Sequence, residues 1–372
     1  MKTKILAIYL PQFHTLPEND KWWGKGFTEW TNVKRGKPFY WGHYQPREPL
    51  HDDYYDLSDL SVLETHIRLA KKAGIYGFSF YHYYFNGKKL LEKPIENYRD
   101  HSKETFPYCL IWANQSWTRT WYRTNIGNKI LIEQEYGNEN DWGKQFDYLL
   151  TFFKDKRYIK IRNKPLYIIY IPQDIKFRYK MFSCWNSMAK EHGFDGIYLV
   201  AMKTSFGEDT CTRLYDAYMD FEPLNYFKTD NSFRKKIQLC KEKYIDYMNK
   251  DKKSIVNWLV SKNTYSYSHL CKIIEKRNKK QIKKTFICTF TDWDNTSRKD
   301  EDGTFVRGSN PKKFGKHMEN ILKMSKKLEN EFIFINAWNE WSEGAYLQPD
   351  KRYGYAYLYS LKNALKNVYK KG

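Results

Sequence analysis

The chain has 372 residues, 64 Lys and Arg against 43 Asp and Glu, a net charge of +21 and 41% hydrophobic residues. That apolar fraction sustains a sizeable core and excludes intrinsic disorder. No apolar run reaches the roughly 18 residues of a membrane-spanning helix.

Eight short runs rich in β-branched and aromatic residues punctuate the chain, at 4–9, 77–81, 108–112, 165–170, 196–201, 217–221, 286–290 and 332–337. Most are continuously apolar and do not alternate, as strands buried on both faces do. Helical patterns fall between them. Ser61-x-x-Glu64 reads as a capping box, followed by a stripe of Leu63, Ile67, Ala70 and Ala73 and a stop at Gly74. Residues 142–153, 314–328 and 355–369 are further helices. Alternating strands and helices predict an α/β fold, and eight strands predict a single-domain (β/α)8 TIM barrel. Two long insertions interrupt it: one at about 10–57, rich in Trp, Tyr, Pro and Gly, and a basic one at about 222–284.

The six cysteines include no CxxC pair, so no metal is expected, and their apolar settings point to a reducing compartment. The first apolar stretch, about six residues ending at Pro11, is too short for a signal peptide. A cytoplasmic protein is expected. The lysine-rich 228–284 region leaves room for peripheral contact with an anionic membrane surface or for an acidic polymer. Nucleic-acid motifs are missing.

In a barrel the active site lies at the C-terminal strand ends. Aromatic and hydrogen-bonding residues follow the runs there: Tyr9, Gln12 and His14; Tyr81 and His82; Trp112, Asn114, Trp117 and Arg119; Asp220 and Glu222; Asp292 and Asp294; Asn336, Trp338 and Trp341. The aromatic content of 18% suits sugar rings, whose apolar faces lie on aromatic side chains. Within 335–344, INAWNEWSEG, Glu340 and Glu343 stand three apart, a spacing that lets both face one cavity. Glycosidic bond cleavage uses two carboxyl groups, and mutual repulsion raises one pKa to make an acid beside a base. The D-x-D element Asp292–Asp294 offers an alternative: a divalent metal carrying a nucleotide sugar.

The segments LAIYLPQFHTLPENDKWWGKGFTEWTNV, GFSFYHYYFNGKKLLEKP, WANQSWTRTW, NKPLYIIY and FINAWNEWSEGAYLQPD resemble the WbsX-like family, over about residues 4–360. That family is associated with glycosyl transfer in bacterial surface polysaccharide clusters (O-antigen and capsule), and is similar to the family 99 glycoside hydrolases, barrel endo-mannosidases. The resemblance implies a retaining reaction through the substrate's own 2-hydroxyl and a 1,2-anhydro sugar. Glu340 would be the base toward that hydroxyl and Glu343 the acid/base at the glycosidic oxygen. It implies an oligosaccharide or lipid-linked glycan substrate and no cofactor. Gln115 departs from the pattern, since relatives often carry Glu there. The alternatives are a metal-dependent nucleotide-sugar transferase using Asp292 and Asp294, and a glycan-binding barrel without chemistry.

Overall fold

The computed structural model describes residues 2–40, 42–118, 130–209, 211, 213–229, 264–279 and 284–369. Arg119 and most of the basic insertion lie outside them. Eight parallel strands form the barrel: β1 (Lys4–Tyr9), β2 (Gly77–Phe85), β3 (Tyr108–Trp112), β4 (Lys164–Ile169), β5 (Tyr198–Lys203), β6 (Ala217–Asp220), β7 (Thr285–Phe290) and β8 (Phe332–Asn336). Each pairs with its neighbours in chain order. The sheet closes where β1 pairs with β8, Lys4 opposite Phe332, and with β2, Leu6 opposite Gly77. All eight predicted strands are present, with ends shifted by up to four residues.

A layer of helices covers the barrel. Helix Leu60–Ala73 buries Leu63, Ile67 and Ala70 against the strands, and Gly74 ends it at a φ of +88°. Its start differs from the expected capping box. Asp59 is the cap, accepting a hydrogen bond from the Ser61 amide at 2.8 Å, and the Glu64 carboxylate instead accepts from Ser102. Asp is as good a cap as Ser and stands two residues earlier, so it sets the boundary. Helices Glu139–Phe153, Pro311–Lys327 and Ala356–Tyr369 match expectation closely.

Side chains alternate across each strand, so half point into the barrel and half toward the helices. On β2, Ser79 faces Cys109 of β3 inside the barrel, while Phe78 and Phe80 pack on Tyr9. Cys109, Cys271 and Cys288 are buried as small hydrophobes, and burial pushes all three thiols upward. Among the described residues no helix is long and apolar enough to cross a membrane.

The C-terminal helix Ala356–Tyr369 locks the barrel seam by packing on helices Pro311–Lys327 and Leu60–Ala73. Leu361, fully buried in that face, tests the fold. Leu361→Ala should cost about 2–5 kcal/mol in denaturant unfolding, the usual range for a buried leucine.

Candidate active site

The cavity at the C-terminal mouth has about 890 Å³ of non-atom space, its opening included. Tyr81 and Tyr83 of β2, Tyr170 after β4, Phe221 after β6 and Asn336 of β8 face it from the barrel. Trp23, Phe27, Asn19, Glu29 and Asn32 face it from the first insertion. Trp117 and Gln115 close another side, with Trp117 edge-on to Tyr83 at 5.3 Å.

Glu340 and Glu343 both line the cavity. They flank a single 3-10 turn, Trp341–Glu343, which ends at Gly344 with φ +65°. One cation holds them. Arg298 Nη1 donates to Glu343 Oε1 at 2.7 Å, and Nη2 donates to Glu340 Oε1 at 2.9 Å. The same guanidinium reaches Glu29 through Nη2 at 2.6 Å and Nε at 2.9 Å. Glu29 is 1% exposed and also accepts from Asn32 and the Ser342 hydroxyl.

Burial raises the Glu340 carboxyl well above the carboxylate range, and the nearby Glu343 charge raises it further, against the pull of Arg298. Burial raises Glu343 too, with Arg298 again opposing. The two form a coupled pair. For Arg298 burial works against the charge, but Glu29, Glu343 and Glu340 outweigh it and keep the guanidinium cationic.

Behind the glutamate turn lies a second polar cluster. The Asp294 amide donates to the Glu343 carbonyl at 2.6 Å. Its carboxylate accepts from Gln45 Nε2 at 2.8 Å and Thr296 Oγ1 at 2.6 Å, and pairs with His43 Nε2 at 2.9 Å. Arg47 bridges Asp294 and Asp292 at 3.6 and 3.0 Å. Burial alone would raise Asp294, but His43, Arg47 and Thr296 hold it down at about 2. Asp292 and Asp294 are therefore engaged by side chains of the first insertion and do not line the cavity. The D-x-D element serves here as a brace for the Glu343 turn.

The other expected site residues divide by strand parity. Gln12, Tyr81, Trp117 and Asn336 line the cavity. Tyr9, His82, Trp112 and Asp220 do not, because they sit one position out of phase and face the helices. The Tyr9 hydroxyl bonds His66 at 2.8 Å, and His82 bonds Tyr167 at 3.1 Å. Trp112 packs on Trp185, and Asp220 pairs with Arg277. Glu222 also pairs with Arg277, Asn114 bonds both backbone groups of Ile171's peptide neighbourhood, at its N–H and its carbonyl, and His14 bonds the Pro11 carbonyl. Trp338 and Trp341 are almost wholly buried beneath the cavity floor, with Trp341 donating to Gln348 at 2.6 Å. They support the turn and do not touch the cavity space. Arg119 lies outside the described residues.

Sequence reasoning missed Glu29, Arg298, Tyr170, Asn19 and Asn32, and placed Tyr83 at the end of the second run without singling it out as a site residue. Tyr83 and Tyr170 were within reach of parity, counting on from Tyr81 and from β4. Glu29 and Arg298 carried no such signal, because each lies in a short helix, Glu29–Lys34 and Thr296–Lys299, distant in sequence from the other and from Glu340.

A glutamate pair in an aromatic cleft at the strand ends of a (β/α)8 barrel defines a carbohydrate-active, glycosyl-processing class of protein. The chain belongs to the WbsX glycosyltransferase family, which residues 5–361 match. The uncharacterized protein WxcX of Xanthomonas campestris pv. campestris (strain B100) is 31% identical over 364 residues, 97% of this chain. The chain spans about half the length of that relative, 49%. In fold it is similar to an endo-alpha-mannosidase of family 99 from Bacteroides thetaiotaomicron, with TM-score 0.55 and 14% identity over 98% of this chain and 97% of the other. A structure described as a glycoside hydrolase-like protein gives TM-score 0.57 and 13% identity over 98% and 94%.

The brace is open to a direct test. A depressed folded pKa means Asp294 contributes stability above its unfolded value near 3.8, lost as pH falls toward 2. Asp294→Asn should therefore cost about 3–5 kcal/mol at pH 7, as for a broken buried pair. The gap from wild type should narrow as unfolding is measured at progressively lower pH.

Proposed function

We propose that this chain cleaves or transfers glycosyl units of a bacterial surface polysaccharide, with retention, through Glu340 and Glu343. The observation that carries the reading is the pair of buried glutamates held by one guanidinium in an aromatic-walled cleft. The reaction needs one proton on the pair, carried by Glu343 when a sugar 2-hydroxyl donates to Glu340.

In the first half, Glu340 takes the 2-hydroxyl proton as O2 attacks C1. The bond from C1 to the leaving oxygen breaks, and Glu343 gives that oxygen its proton. In the second half, an acceptor hydroxyl attacks C1 and opens the anhydro ring. Glu343 takes the acceptor's proton, and the proton on Glu340 returns to O2. Two inversions at C1 amount to retention. Water as acceptor gives hydrolysis and a sugar hydroxyl gives transfer. Arg298 stays bound to both carboxylates throughout, offsetting charge as it moves between them. An oligosaccharide or lipid-linked glycan is the substrate of this reading. Gln115 lines the cleft where relatives often carry Glu, so it bears on sugar preference.

The nucleotide-sugar alternative is less favoured, because Asp292 and Asp294 are already committed to Arg47, His43, Gln45 and Thr296.

Product analysis on the polysaccharide of the host strain tests the reading. Glu340→Gln and Glu343→Gln should each lower turnover by about 10²–10⁴-fold, as for loss of an acid–base group. Full turnover in either variant would exclude the mechanism.

A second outcome follows from the raised pKa values. A carboxyl raised on folding contributes most below its unfolded pKa and costs stability as pH rises through its folded one. Glu340→Gln escapes that cost. Its melting temperature should exceed wild type at pH 7–8, with the difference fading toward about pH 4, the ordinary glutamate range.

A further inference from the structure

We infer that Asn19 and Asn32 read the hydroxyls of a neutral glycosyl unit, and that the cleft selects against acidic sugars and nucleotide diphosphates. The inference rests on the cleft being where the sugar reacts.

Asn19 is the third residue of the short helix Pro17–Trp23 and is 1% exposed, yet it lines the cleft. Both its amide oxygen and its amide nitrogen lack a hydrogen-bond partner among the described residues. Asn32 is similar. Its nitrogen donates to Glu29 at 3.2 Å, while its oxygen, also buried, has no partner. A buried amide left unpaired is unfavourable, so natural structures seldom keep one without a use. Here two such groups share a wall with Trp23 and Phe27. An apolar platform beside an unpaired donor and two unpaired acceptors complements a pyranose, with its apolar face and hydroxyl rim.

Charge narrows the class. Among the described residues lining the cleft the charged ones are Glu29, Glu340, Glu343 and Arg298. The guanidinium is already bound to all three carboxylates. Among the described residues of that wall, a uronate or a diphosphate would meet three carboxylates whose one lining cation already bonds all of them.

The test uses the full chain carrying Glu343→Gln as a binding background. Its probes are an array of neutral oligosaccharides with uronate- and phosphate-bearing counterparts, and calorimetry with UDP- and GDP-hexoses. Neutral glycans should bind in preference. Adding Asn19→Ala should weaken that binding by about tenfold or more, as for lost hydrogen bonds to a site built around them. The melting temperature of the free Asn19→Ala chain should be unchanged or higher, whereas a structural asparagine would lower it. Preference for acidic glycans or nucleotide sugars, no binding to any neutral glycan, undiminished binding by the Asn19→Ala chain, or a lower melting temperature would each overturn the inference. The catalytic reading fails separately, if Glu340→Gln or Glu343→Gln keeps full turnover.

Discussion

The structure of the site depends on one guanidinium. Arg298 sits where three carboxylates converge with little water, and without it Glu29, Glu340 and Glu343 would repel one another in a poorly solvated space. These groups come from three segments that each follow a barrel strand. Glu29 follows β1, Arg298 follows β7, and the glutamate turn follows β8. In the closed barrel β7, β8 and β1 are neighbours, so the seam that closes the sheet also brings the charges together. The strand neighbours that close the fold are therefore the ones that bring the site together.

Around this centre the structure has layers of support that do not touch the cleft. The Asp294 amide and carboxylate tie the Glu343 carbonyl to the first insertion through His43, Gln45 and Arg47. Below, Trp341 and Tyr55 both donate to Gln348, whose amide also bonds His66. Gly344 fits between these layers because a Cβ there would come within 3.0 Å of the Asp294 amide nitrogen, at a φ suited to glycine. The first insertion thus contributes in two ways. It braces the turn from behind and supplies the aromatic and amide wall in front.

The family membership and barrel agree with this arrangement, and the proposed glycosyl chemistry rests on the site rather than on the fold. The chain's described cysteines are all free; Cys109, Cys271 and Cys288 are buried packing groups, while Cys184 and Cys211 are half-buried. Among the described residues lining it, the cleft carries three carboxylates and one guanidinium, although the chain as a whole is strongly basic.

The sequence by itself determined the eight strands, their parallel order, the placement of the principal helices and the glutamate turn. All of these follow from local runs, short spacings and a long family likeness. It could not sort the rim residues, because a strand end located to within a few residues does not fix which parity faces inward, and parity separates Tyr81 from His82. Nor could it reveal that Asp292 and Asp294 brace the turn, or that Glu29 and Arg298 complete the site. Asp292 and Arg47 are 245 residues apart, Asp294 and Gln45 249, and Arg298 and Glu29 269, and only barrel closure sets them within hydrogen-bonding distance.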